Sequence, residues 1–174
     1  MANPKILQPF ILSWEGRYAN LPHDKGGPTN KGVTLATFRS FYGSNKTIQD
    51  LKNITDEQWM HIFKTGFWDK WNADRISSQS IANLVVDWLY HSGKHGITKV
   101  QKVLGVKVDG IVGPKTLAAL NSQDPQTLFQ KIHSARESFM RSLYNFKFYG
   151  KGFLNRLNSI GYGWLFYGGE KHIF

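Results

Sequence analysis

The chain has 174 residues, 41% of them hydrophobic, which is enough for one compact domain with a shared core and too apolar for disorder. No stretch approaches the about 18 continuous apolar residues that a transmembrane helix needs, and the lack of cysteine excludes disulfides and thiol catalysis. Lys and Arg number 22 against 12 Asp and Glu, and this net charge of +10 suits polyanionic targets such as nucleic acid or a bacterial envelope.

Asn3-Pro4 predicts a helix start, because Asn caps and Pro fits the first turn. Leu7, Phe10, Ile11 and Trp14 then recur at helical spacing, and Glu15-Gly16 should stop the helix through a left-handed glycine. Residues 17–33 read as a loop, with three Gly and two Pro. A connection that long in a compact domain points to function. Thr34 predicts the next cap, with Leu35, Phe38 and Phe41 on one helix face. Thr55 to Gln58 fits a capping box, and the helix it opens should end at FWDKW (67–71).

The run IANLVVDWLYHSG from Ile81 is a helix apolar on nearly every side, which argues for burial. Gly93 and Gly96 should separate it from a short helix through Val100, Val103 and Leu104. VKVDGIVGPKTLAAL (106–120) reads as a tight turn and a helix begun by Pro114. Asp124-Pro125 repeats the cap signal ahead of a helix running to about Asn145. The aromatic, Gly-rich C-terminus reads as a packing tail with no strand pattern. The fold class is all-α, with room for a short hairpin in the 17–33 loop. Residues 1–92 and 93–174 form two regions packed as one unit.

The glutamates are Glu15, Glu57, Glu137 and Glu170. Glu57 suits a helix first turn without further function. Glu137 precedes Arg141 by four residues, the spacing of a solvated ion pair. Glu170 lies near the chain end. Glu15 falls at a helix C-terminus beside Ile11, Leu12 and Trp14, and the helix dipole and apolar flank both favour the protonated form a general acid needs. Spacing alone leaves equally open a glutamate turned to water. Asp24 follows in the glycine-rich loop and could supply the second carboxylate of a glycosidase, with Thr29 and Asn30 orienting water. On spacing alone it is also an ordinary turn residue. His91 and His95 are four apart, but no glutamate follows His91 and Gly93 intervenes, so no metal site is expected. The basic residues are dispersed, which argues against nucleic acid as the partner.

The run WEGRYANLPHDKGGPTNKGVTLATF (14–38) resembles the signature of glycoside hydrolase family 108, lysozyme-like muramidases linked to phages and to protein secretion. Glu15, Gly16, Tyr18, Asp24, Gly26, Gly27, Thr29, Asn30, Gly32 and Thr34 match that pattern. Arg17 departs from it, standing in place of a glycine where its charge favours an ionised acid. FWDKW resembles the family's Tyr-Trp segment, and DWLYHSG (87–93) resembles its Asp-x-x-x-Asn-Ser-Gly stretch with His91 in place of Asn. VQKVLGVKVDGIVGPKTLAAL (100–120) resembles a peptidoglycan-binding-like region.

The resemblance implies a lysozyme-like helical fold and cleavage of the β-1,4 bond between N-acetylmuramic acid and N-acetylglucosamine. Glu15 is the implied proton donor and Asp24 the second carboxylate. Tyr18, Thr29, Asn30, Thr34, Trp68, Asp87 and His91 are the implied substrate-binding residues, with no metal or other cofactor. The implied partner is the peptidoglycan glycan strand, met by a monomer without membrane insertion. MANPKILQPFILSWEGRY reads poorly as a secretory signal, so the expectation is a protein made in the bacterial cytoplasm that acts in the periplasm or cell wall.

Overall fold

The computed structural model describes residues 1–20 and 27–174. Helix α1 spans Pro4–Trp14, and the Asn3 side chain caps it by accepting from the Lys5 amide at 3.0 Å. Leu7, Phe10 and Ile11 face the core with no exposed surface. The helix ends where Glu15 turns extended, at φ −82 and ψ 117. Gly16 is not left-handed, which corrects the expectation of a glycine stop. An extended residue ends the hydrogen-bond ladder equally well and asks nothing of the next one.

The 17–33 loop contains the hairpin. Strands β1 (Thr29–Asn30) and β2 (Val33–Thr34) pair antiparallel across Lys31 and Gly32, whose φ values are 51 and 79. Two central residues at positive φ give a turn whose twist matches the strands. Ala19 pairs with Thr29 through two backbone bonds of 2.8 Å, and the Lys31 amide donates to Gly16 O at 3.2 Å. The hairpin is therefore fastened to the chain just beyond Glu15.

Thr34 caps α2 (Leu35–Tyr42), accepting from the Thr37 amide at 3.1 Å. A short helix, α3 (Ile48–Lys52), follows with its own capping box between Thr47 and Asp50. The predicted box of Thr55 and Gln58 opens α4 (Asp56–Phe63). FWDKW continues it as a π turn and a 3-10 turn. Helix α5 (Gln79–Ser92) is buried continuously from Ser80 to Leu89, as its apolar sequence requires.

Helix α6 (His95–Leu104) packs closely on α5, and Gly96 lies inside it rather than between helices. A Cβ at Gly96 would stand 2.3 Å from the Leu89 nitrogen, so this glycine permits the close approach of α5 and α6. Helices α7 (Pro114–Ser122) and α8 (Pro125–Ser142) begin at the predicted prolines. The chain breaks after Ser142 and starts α9 (Phe146–Asn158). The expected C-terminal tail is instead a sheet of β3 (Ile160–Gly161), β4 (Trp164–Tyr167) and β5 (Glu170–Ile173), antiparallel in that order. Gly168 and Gly169, both at positive φ, form its two-residue turn.

The all-α, lysozyme-like expectation stands, with these two small sheets as the β content among the described residues. One hydrophobic core joins the two halves of the chain, from Leu7 and Trp88 to Leu128, Ile132 and Leu165. None of the described helices is long and apolar enough to cross a membrane.

The turn at Asp109-Gly110 is organised by Gln101, which has no exposed surface. Its Oε1 accepts from the Asp109 and Gly110 amides at 3.1 and 2.9 Å. Its Nε2 donates to Asp109 Oδ1, Ile111 O and Thr116 Oγ1. Gln101→Ala strips partners at once from buried Thr116 and from the part-buried bonds of the Asp109–Ile111 turn. It is expected to destabilise the protein by about 2–4 kcal/mol, since each unsatisfied buried group costs about 1–3 kcal/mol. Urea unfolding measures this, and a loss below about 1 kcal/mol, the net worth of one ordinary bond, would contradict it.

Candidate functional site

Glu15 stands where α1 gives way to the hairpin, and its carboxyl is partly exposed on the wall of an open groove of about 630 Å³. Among the described residues, Leu12, Gly16, Arg17, Tyr18, Asn30, Lys31 and Lys52 also line that groove. Gly32 lies directly behind the carboxyl, since a Cβ there would come within 2.8 Å of Glu15 Oε2. Two rings, buried Trp59 and partly buried Tyr90, hold the turn in place. The Tyr90 hydroxyl donates to Lys31 O at 2.7 Å, and Trp59 Nε1 donates to Lys31 O and to Tyr90 Oη at 3.2 and 3.1 Å. Burial pushes the Tyr90 hydroxyl well above its ordinary range, and the Glu15 charge adds to this, so Tyr90 remains a donor.

Behind the groove lies a chain of alternating charges. Arg156 of α9 donates from Nη1 to Glu15 Oε1 at 2.7 Å and from Nη2 to Asp87 Oδ1 at 2.7 Å. Its Nε is 3.2 Å from both Asp87 oxygens. Arg136 of α8 donates to Asp87 Oδ2 at 2.8 Å. Asp87 and Arg136 have no exposed side-chain surface. Burial alone would raise the Asp87 carboxyl, but Arg156 and Arg136 hold it at about 2. Burial opposes the Arg156 charge, and Asp87 and Glu15 outweigh that and push its pKa above the ordinary arginine value. With both carboxylates ionised, the two cations and two anions cancel.

Of the expected site residues, Glu15, Tyr18 and Asn30 line the groove together. The Lys52 ammonium sits 4.6 Å above the Tyr18 ring. Asn30 is largely buried and donates to Leu51 O and Lys52 O, tying the hairpin to α3. Thr29 is partly buried in the hairpin and pairs with Ala19 through its backbone. The hydroxyl of Thr34 is occupied as the α2 cap. Trp68 and Asp87 have no exposed surface, which corrects the expectation that they line a groove. Trp68 is a core residue whose Nε1 donates to Asp74 at 2.8 Å, and both oxygens of Asp87 are held by arginine. Asp24 lies outside the described residues. Arg17 is exposed and has no ion pair among the described residues, so Arg156 takes the place expected for it beside Glu15.

His91 lies one turn beyond Asp87, its ring edge-on to Phe153 at 5.0 Å. Burial, reinforced by Arg156 and Arg136 and opposed by Asp87, lowers it from 6.5 to about 3. In that window the unfolded chain takes up a proton that the folded protein refuses, so stability falls as pH drops below 6.5. His91→Asn is expected to flatten the decline of the melting temperature between pH 7 and 5. Asp87 does not contribute there, because its stabilisation is lost only as pH falls from 3.8 toward 2. Parallel curves for the two proteins would contradict the assignment.

Arg136, Arg156, Tyr90 and Lys31 escaped the reading by motif. A signal for Arg136 exists in the sequence. Leu128, Ile132, Arg136 and Met140 recur at four-residue spacing, and an arginine within an apolar stripe calls for a buried anion. Asp87 within its apolar helix is the matching signal.

Residues 8–93 match the family model Glycosyl hydrolase 108, and residues 95–165 match the model described as Predicted Peptidoglycan domain. Glu15 and Asp87 fall in the first match, and Arg136 and Arg156 in the second. The fold is similar to the structure of Brucella abortus SagA, with a TM-score of 0.80 and 31% sequence identity over 88% of each chain. Among curated proteins, none matches the chain.

Proposed function

The chain belongs to glycosyl hydrolase family 108, and on that premise we propose that it hydrolyses the β-1,4 bond between N-acetylmuramic acid and N-acetylglucosamine in peptidoglycan. The observation that carries this reading is the Glu15 carboxyl on the groove wall, with Oε1 held by Arg156. Oε2 is then the oxygen that carries a transferable proton. Glu15 gives this proton to the glycosidic oxygen, and the bonding pair of the breaking C–O bond leaves with that oxygen. A second carboxylate stabilises the oxocarbenium-like sugar or activates water, and Asp24 is the residue proposed for this role. Water then adds to the sugar, gives its proton to a carboxylate of the site and leaves a new reducing end.

The groove is open, as cleavage within a polymer requires. Arg17, Lys31 and Lys52 line it with positive charge, which suits the carboxylates of peptidoglycan stems. With this substrate the site of action is the periplasm or cell wall. Digestion of purified peptidoglycan followed by mass spectrometry of the released fragments tests the proposal. Reducing muramic acid ends are the expected product. A 1,6-anhydro end would instead make the protein a lytic transglycosylase. Retention on insoluble peptidoglycan without soluble fragments would make it a non-catalytic wall binder, a reading favoured by the fact that Arg156 would hold a purely structural carboxylate equally well.

A further inference from the structure

We infer that Arg156 is the positioning residue for Glu15, so that the C-terminal region completes the catalytic site. The inference rests on the reading of Glu15 as proton donor. Glu15 lies just past the end of α1, where the helix no longer fixes its side chain. Two contacts restrain its carboxyl instead. Gly32 backs Oε2, and the Arg156 guanidinium holds Oε1 at 2.7 Å.

The arginine is itself oriented. Asp87 occupies the Nε–Nη2 edge of the planar guanidinium, which leaves Nη1 aimed at Glu15. Arg136 holds the other Asp87 oxygen. Asp87 and Tyr90 are three residues apart on α5 and share a face. Asp87 sets Arg156, and Tyr90 sets the Lys31–Gly32 turn. One buried helix therefore fixes both restraints on Glu15, and one of them comes from a segment 141 residues away in the chain.

Charge balance gives the same pairing a chemical consequence. Arg136, Asp87, Arg156 and ionised Glu15 sum to zero. Protonated Glu15 leaves one positive charge uncompensated in this cluster. Passing the proton to the glycosidic oxygen restores neutrality, so the carboxylate formed as the bond breaks meets a guanidinium already in place. A lysine at 156 keeps the charge, but its single ammonium cannot hold both carboxylates in the same geometry.

The test uses the full-length protein and three variants: Arg156→Lys, Arg156→Gln and Glu15→Gln. Arg156→Lys is expected to melt cooperatively and to bind insoluble peptidoglycan as the parent does. Its kcat should fall by about 100-fold, the effect of a misplacement near 1 Å, with KM nearly unchanged. In Arg156→Gln, which removes the charge as well, kcat should fall at least as far, again with KM nearly unchanged.

A folded Arg156→Lys with parental kcat, or one whose loss lies in KM and not in kcat, overturns the inference. If neither Arg156 variant folds, nitrogen NMR of the Arg156 guanidinium in the parent decides. Its Nη1 signal should move in Glu15→Gln, which removes the charge it pairs with, and an unmoved signal overturns the inference. Full turnover in Glu15→Gln would sink the function itself. An inactive Glu15→Gln beside a fully active Arg156→Lys would sink the positioning role alone.

Discussion

Glu15→Gln is expected to lower kcat on peptidoglycan by about 10²- to 10⁴-fold, the usual contribution of a positioned general acid. The amide has the shape of the carboxyl and its oxygen can still accept from Arg156, but it has no acidic proton to give. Arg156 also keeps its three contacts with Asp87. The variant should therefore fold and still bind insoluble peptidoglycan. Release of reducing ends, followed alongside a melting curve and a pull-down, separates these effects. Turnover within threefold of the parent would remove Glu15 from the chemistry.

Gly32→Ala is expected to cost about 100-fold in kcat through geometry alone. Its Cβ would fall 2.8 Å from both Glu15 Oε2 and Tyr90 Cε1. The Tyr90 ring is confined by Trp59, Phe63 and Phe67, so the carboxyl is the group that gives way. Alanine at a φ of +79 adds a stability loss of about 1 kcal/mol. Gly105→Ala is the control, with a φ of +72 and nothing near its Cβ. It should show a similar loss of stability and parental turnover. Equal turnover in the two variants would mean that Gly32 does not restrain Glu15.

The short-range features of this protein were legible from the sequence. Asn3, Thr34 and the Thr55–Gln58 box cap their helices as expected, because each cap meets its partner within three residues. The Glu137–Arg141 pair forms at 3.0 Å on an exposed face for the same reason. The 14–38 signature marked Glu15 and the stretch that holds the hairpin. The C-terminal sheet carried a local signal, the Gly168-Gly169 turn, but aromatic residues beside glycine suit a packing tail equally well.

Only the tertiary structure decided which residues surround Glu15. Trp68 and Asp87 have the chemistry of groove residues, and burial makes one a core ring and the other a clamp on two arginines. Arg17 is two residues from Glu15 and turns to solvent, while Arg156 holds the carboxyl. A cap needs only the dihedrals of its own turn. A part-buried ion pair between the residue that ends α1 and a residue of α9 depends on where the whole core sets two helices, and no run of sequence encodes that by itself.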